Sequence, residues 1–358
     1  MKNVLFKTET PIFQNKLFKK KEDALNYPSG KVEIVWNPDN YCFVNQSFEE
    51  INDQYDHFYN NDQSGSLAFQ NHIENILCLI QDRYSKDISV VEIGCGNGYF
   101  IQALSQAGFQ NIKGFDTVYS GDDTRISNRF VDDFSVIEAD LVILRHTLEH
   151  IKNPKEMLFQ ISKIRGVTRT PEVYIEVPNL EWILDNKSFY DLFYEHVNYF
   201  KDYSFQTIFQ APIIHHTLSG QYLSVFASLQ DLSTSNDVDS NLLARDIERL
   251  RALQHKKNEV IANLISKRIA IWGAGAKGSV LGFYLKRILF QQVVIIDTNI
   301  QKQGLFPCGL DKQVLSPDEF ICNYKPDELI IIVMNPVYIE EIRKTVGSEY
   351  KLLSITDI

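Results

Sequence analysis

Through "LAFQNHIENILCLIQDRY" the apolar residues Leu67, Ile73, Ile76, Leu77 and Ile80 recur at helical spacing, which predicts an amphipathic helix. From there the chain alternates apolar runs with helical patterns. Strand "VVEIG" (90–94) precedes a helix from Tyr99 to Ala107, and strand "IKGFD" (112–116) follows. Strand "DLVILR" (140–145) leads into helix "PKEMLFQISKI" and strand "EVYIEVP" (172–178). Two further apolar runs, 213–218 and 222–229, are joined only by "SGQ" and predict an antiparallel hairpin at the sheet edge. Strands alternating with helices indicate an α/β, doubly wound, mainly parallel sheet. Before residue 64 the pattern is irregular and aromatic-rich, with "VEIVW" the one clear strand.

The polar run "QDLSTSNDVDSN" (230–241) reads as a linker, followed by a long charged helix over 241–266. The strand–helix alternation then restarts: strand 269–273, helix 276–288, strands 293–297 and 328–334, and helix 337–346. About 90 residues is half a dinucleotide fold. The expected organisation is an N-terminal region (1–63), a first α/β domain (64–229), a linker and long helix (230–267) and a smaller Rossmann-like α/β domain (268–358).

Charge and cysteine content narrow the classes. A net charge of −10 argues against a nucleic-acid binder, because the basic clusters Lys16–Lys21 and Arg249–Lys257 are each followed by acids. The five cysteines are scattered and none forms a C-x-x-C pair, which fits a reducing cytoplasm. There is no apolar run of membrane-span length, so a cytoplasmic protein with no membrane partner is expected.

Two glycine-rich turns carry candidate chemistry. In "VVEIGCGNGYF", Gly94, Gly96 and Gly98 follow a buried strand and open a helix. Without a Cβ they let the backbone turn sharply and approach a ligand. The spacing is tighter than a dinucleotide fingerprint and Glu92 precedes it, which suits a ligand without phosphates. Asp116, at the end of the next strand, can accept from both hydroxyls of a ribose. Together these are marks of an S-adenosylmethionine (SAM) site, with Cys95 and Tyr99 in the loop and Arg145 at the neighbouring strand end as further contacts. The second turn, Gly273-x-Gly275-x-x-Gly278 with Asp297 downstream, has dinucleotide spacing. Its helix N-terminus and Lys277 suit an anionic substrate, leaving a NAD site as a competing reading.

The motifs "VVEIGCGNGYF", "GFD" and "ADLVILRHTLEHIKNP" resemble the core of class I SAM-dependent methyltransferases. "SFYDLFYEHVNYFKDYSFQTIF", "SGQYLSVFA", "IAIWGAGAKGSVLGFYL" and "VMNPVYIEEI" more narrowly resemble the bacterial sugar C-methyltransferases. That resemblance implies C-methylation of a nucleotide-linked keto-sugar, with the family's Glu-His pair falling on Glu195 and His196. Carbon methylation needs an enolate, and histidine, titrating near neutrality, suits removal of the α proton. His146 and His150 flank a helix start beside this site. The resemblance also implies an N-terminal zinc region, but only Cys42 remains there, too few ligands for zinc. No metal is expected, and the region reads as a lid. The family's catalytic tyrosine falls on Phe193, so Tyr194 or Tyr59 would have to substitute. Asn179, Gly275, Lys277 and Asn335 are the expected substrate contacts. O- or N-methylation, a NAD-dependent oxidoreductase and a non-catalytic SAM binder remain open alternatives, as does monomer or homodimer.

Overall fold

A computed structural model describes residues 3–49, 67–233, 237–264, 267–289 and 293–358. The central sheet has seven strands. In spatial order they are Ile213–Thr217, Tyr222–Ser228, Glu172–Pro178, Leu141–Arg145, Ser89–Ile93, Asn111–Phe115 and Ile126–Ser127. Ser89–Ile93 runs parallel to both neighbours, while Tyr222–Ser228 is antiparallel to Glu172–Pro178 and forms the expected edge hairpin with Ile213–Thr217. Val90, Leu141, Val142, Ile143, Leu144, Val173 and Ile175 are all fully buried. Helices cover both faces of such a sheet, so its strands read as continuous apolar runs, and each buried side chain contributes about 1.5–3 kcal/mol. The strand order reverses on either side of Ser89–Ile93, and ligands of open α/β sheets bind at the carboxyl ends of strands flanking such a switch.

The N-terminal residues hold more strand than their pattern reveals. Phe6–Pro11, Ser29–Asn37 and Cys42–Asn45 form an antiparallel sheet whose fourth strand, Asn198–Tyr199, comes from just beyond Glu195 and His196. Cys42 is a core residue of this sheet, its thiol pushed up by burial. The long helix Ser240–Leu264 buries Leu250, Leu253, Val260, Ile261 and Leu264 in the cluster that also holds Phe6, Phe189 and Leu281. Buried Asp246 anchors it by accepting from Lys201 Nζ at 2.7 Å and Tyr203 Oη at 3.2 Å.

The last domain is a five-stranded, all-parallel sheet in the order Val314–Leu315, Val294–Ile296, Ile269–Trp272, Ile330–Val333, Lys351–Ser354. The two outer strands escape the sequence pattern because they are short and partly exposed. Among the described residues no helix is long and apolar enough to cross a membrane.

Candidate active site

The loop after Ser89–Ile93 turns through Gly94, Gly96 and Gly98, all at positive φ (75°, 54° and 79°). A Cβ at Gly94 would collide with Thr147 Oγ1, whereas one at Gly96 would meet no atom within 4 Å. The backbone at Gly96 is therefore open to close approach by a ligand. Asp116 braces the loop, its Oδ2 accepting from Gly96 N at 2.7 Å and its Oδ1 from Val118 N at 2.9 Å. Glu92 lies buried beneath, and burial pushes its carboxyl up to about 7, opposed by the charge of Arg145. Tyr99 is exposed on the first turn of helix Tyr99–Gln106. The open glycine, the strand-end carboxylate and the exposed aromatic fit an adenosyl ligand. Cys95 is instead a packing residue, buried where a side chain on Gly114 would meet its Sγ.

Arg145 corrects the sequence reading. Its guanidinium turns inward onto the Phe100 ring, 4.3 Å from the centroid, and pairs with buried Glu176 at 2.9 Å. Glu176 also accepts from Tyr174 Oη at 2.9 Å and lies 3.1 Å from both His72 and His146. Burial alone would raise the Glu176 carboxyl, but Arg145 and the two histidines hold it well below the usual carboxylate range. Arg145 thus supports the floor of the site from inside.

Above that floor a cavity is lined by His146, Glu149, His150, Phe193, Glu195 and His196, with Lys277 and Asn15 at its far side. His146 has a left-handed backbone, φ 49°, which costs a non-glycine residue about 1–3 kcal/mol and is typical of functional sites. Burial opposes its protonation, yet Glu149 and Glu176 outweigh this and lift it to about 9. His196 goes the other way: burial, with the charges of His150 and His146, lowers it well below an ordinary histidine. The cavity therefore pairs an imidazolium with a neutral imidazole.

His150 is the residue that sequence reasoning undervalued. Its Nδ1 donates to the Glu195 carbonyl oxygen at 2.9 Å and lies 4.0 Å from Glu195 Oε2. Its ring meets that of His196 edge to face, centroids 4.9 Å apart. Glu195, next to His196 in sequence, thus serves His150 through its backbone carbonyl. The "LEH" step before "IKNP" was the available signal. Glu149, His150 and His196 also bring ligand-type atoms within 4.8 Å of one another, a set able to hold a cation. The sequence reading, which expected no metal anywhere in the chain, did not weigh this set.

Other expected residues fall outside the cavity. Tyr194 packs over Gly30, and its hydroxyl accepts from Glu49 N at 3.0 Å, so it does not replace the missing tyrosine. Tyr59 lies outside the described residues. Asn179 caps helix Leu180–Asp185 through Glu181 N and donates to Gly220 O, a structural post. Asn335 caps its own turn at Val337 N, and its Nδ2 stands 3.5 Å from Gln221 Oε1 at the cavity wall. Lys277 does reach the cavity, 3.0 Å from Asp191 and over the Trp182 ring at 4.6 Å. Gly275 is uncrowded, with Lys302 Nζ 4.0 Å from its Cβ position.

Residues 68–211 match the family model described as a methyltransferase domain. The chain is 25% identical over 292 residues to the C-methyltransferase NovU of Streptomyces niveus, covering 69% of this chain and 66% of that protein, just under two thirds of its length. Among solved structures it is similar to the magnesium protoporphyrin IX methyltransferase ChlM of Synechocystis PCC 6803 (15% identity, 45% of this chain, 84% of that one, TM-score 0.33). It is also similar to the plantazolicin methyltransferase BpumL (12% identity, 47% and 85%, TM-score 0.36). Five strands of the central sheet and the glycine loop fall within the stretch that matches a methyltransferase domain.

Proposed function

We propose that this protein methylates a carbon of a nucleotide-linked keto-sugar through an enolate. The observation that carries the reading is a cavity lined by His146, His150 and His196, in which His196 is held neutral and His146 is held protonated. The similarity to a C-methyltransferase supports the same chemistry. SAM, when bound at the loop, supplies a methyl group on a positively charged sulfur. Glu92, Gly96 and Asp116 would hold it there.

His196 accepts the proton alpha to the sugar carbonyl, and burial keeps its lone pair available at neutral pH. The resulting cation would be balanced by Glu149 and Glu195, both nearly fully buried beside it. His146, positively charged, faces the oxygen on which negative charge develops, where a fixed charge in a water-poor cavity stabilises most. Phe193 packs on the His196 ring, centroids 4.2 Å apart, and excludes water from it. On the far side Lys277 and the N-terminus of helix Ala276–Leu289 suit a diphosphate.

A second reading has one observation in its favour. The Glu149–His150–His196 set could hold a divalent cation that binds a sugar diol for O-methylation. Incubation in deuterium oxide separates the two readings. Exchange at the α carbon, followed by carbon methylation that survives EDTA, supports the first. An O-methyl product without exchange, abolished by EDTA, would replace it with the second. Lys277→Met is expected to raise KM for the nucleotide sugar about tenfold while changing kcat little, as suits a contact made equally in ground and transition states. Steady-state kinetics with the sugar and its dephosphorylated form check this.

A further inference from the structure

Residues 13–17 form an irregular segment that is almost wholly buried: Phe13 4%, Gln14 0%, Asn15 6%, Lys16 6% and Leu17 3% exposed. Three consecutive polar residues do not sink into a protein without a partner that justifies them. The last domain holds the segment from outside. Cys308 Sγ lies 3.1 Å from Phe13 O and 3.2 Å from Lys16 O. Leu17–Phe18 pairs antiparallel with Phe306–Pro307, and Gly309 N donates to Ala24 O at 2.8 Å. On its inner side Gln14 Nε2 donates to Glu195 Oε1, and Asn15 lines the cavity.

We infer that Gln14 is a positioning residue for Glu195, delivered to the active site by a segment that the C-terminal domain clamps in place. The inference rests on the methyl-transfer reading above. Gln14 cannot titrate, so its amide donates to the carboxylate at any pH. It fixes one oxygen of Glu195 and leaves Oε2 turned toward the His150 ring. A hydrogen bond to a carboxylate favours the charged form. A charged, immobilised Glu195 in turn favours protonation of the neighbouring imidazole when the substrate proton moves. The C-terminal domain thereby acquires a role in the chemistry without touching the reacting atoms.

The test uses the full chain with SAM and a nucleotide-linked keto-sugar. Gln14→Ala is expected to lower kcat about ten- to hundredfold with KM and SAM affinity nearly unchanged, the range for a residue that orients a catalytic group. Gln14→Glu, which places a carboxylate against the Glu195 carboxylate, should lower kcat at least as far. In a Glu195→Gln background, Gln14→Ala should cost almost nothing more. Additive losses in the double variant, or a raised KM with kcat unchanged, would overturn the inference and leave Gln14 as packing. A wild-type enzyme that transfers no methyl to any keto-sugar would fail the functional reading instead. In that case the ring NMR chemical shifts of His150 at one pH, which need no substrate, still decide the positioning claim. A changed His150 ring environment in Gln14→Ala supports it, and unchanged shifts overturn it.

Discussion

His196→Ala is expected to cut methyl transfer by about 10²–10⁴-fold, the range for losing a general base, while leaving SAM affinity unaltered. The residue lines the cavity, to which the glycine loop contributes no lining residue, so the two measurements separate chemistry from binding. Deuterium exchange at the substrate α carbon should fall in parallel, because proton removal precedes methyl transfer. The pH dependence adds a second check. His196 is held neutral to well below 6.5, so lowering the pH through 6.5 should not by itself switch the base off. A rate that collapses at 6.5 would instead assign the base to a histidine with an ordinary affinity for protons. Full exchange in His196→Ala would do the same.

Glu176→Ala should be the most damaging change to the fold, costing about 3–5 kcal/mol, the penalty for removing one partner of a buried ion pair. It would leave Arg145 buried without its carboxylate and deprive His72 and His146 of theirs. The pH window follows from the two shifts. Glu176 is depressed below its unfolded value of 4.5, so its contribution is present above 4.5 and disappears as the pH falls through the lower folded value. His146 is raised from 6.5 to about 9, so its contribution is complete below 6.5 and is lost as the pH rises through 9. The difference in stability between wild type and Glu176→Ala should therefore be widest near pH 5–6 and narrow toward pH 9. Urea unfolding across that range measures it, and a loss under 1 kcal/mol at pH 6 would mean the cluster contributes little.

The central sheet was legible because strands such as Leu141–Arg145 lie between two helical layers and so read as unbroken apolar runs. The glycine loop and Asp116 were legible because spacing along the chain determines what they can reach. Sequence reasoning failed where a residue's role depends on a distant partner. Arg145 ends a strand whose neighbouring carboxylate, Glu176, pulls it inward. Tyr194 is turned away by the pairing of Asn198–Tyr199 with the N-terminal sheet, which fixes the direction of the preceding residues. Gln14 and Glu195 are 181 positions apart, and no local pattern marks a polar side chain for burial. Asn179 was readable after all: an asparagine just ahead of "LEWILD" is a helix cap signature.

The strand Asn198–Tyr199 has a consequence for how the chain is made. The outer edge of Cys42–Asn45 has no partner until Asn198–Tyr199, about 150 residues later, and the Phe13–Lys16 segment waits for Cys308. Synthesis at roughly 5–20 residues per second makes those waits several seconds to about a minute long. Until then the apolar faces of Phe6, Ile34 and Phe43 have no permanent cover. A nascent chain that has not yet reached Cys308 therefore holds the glycine loop complete while the cavity still lacks the clamp on its Phe13–Lys16 wall.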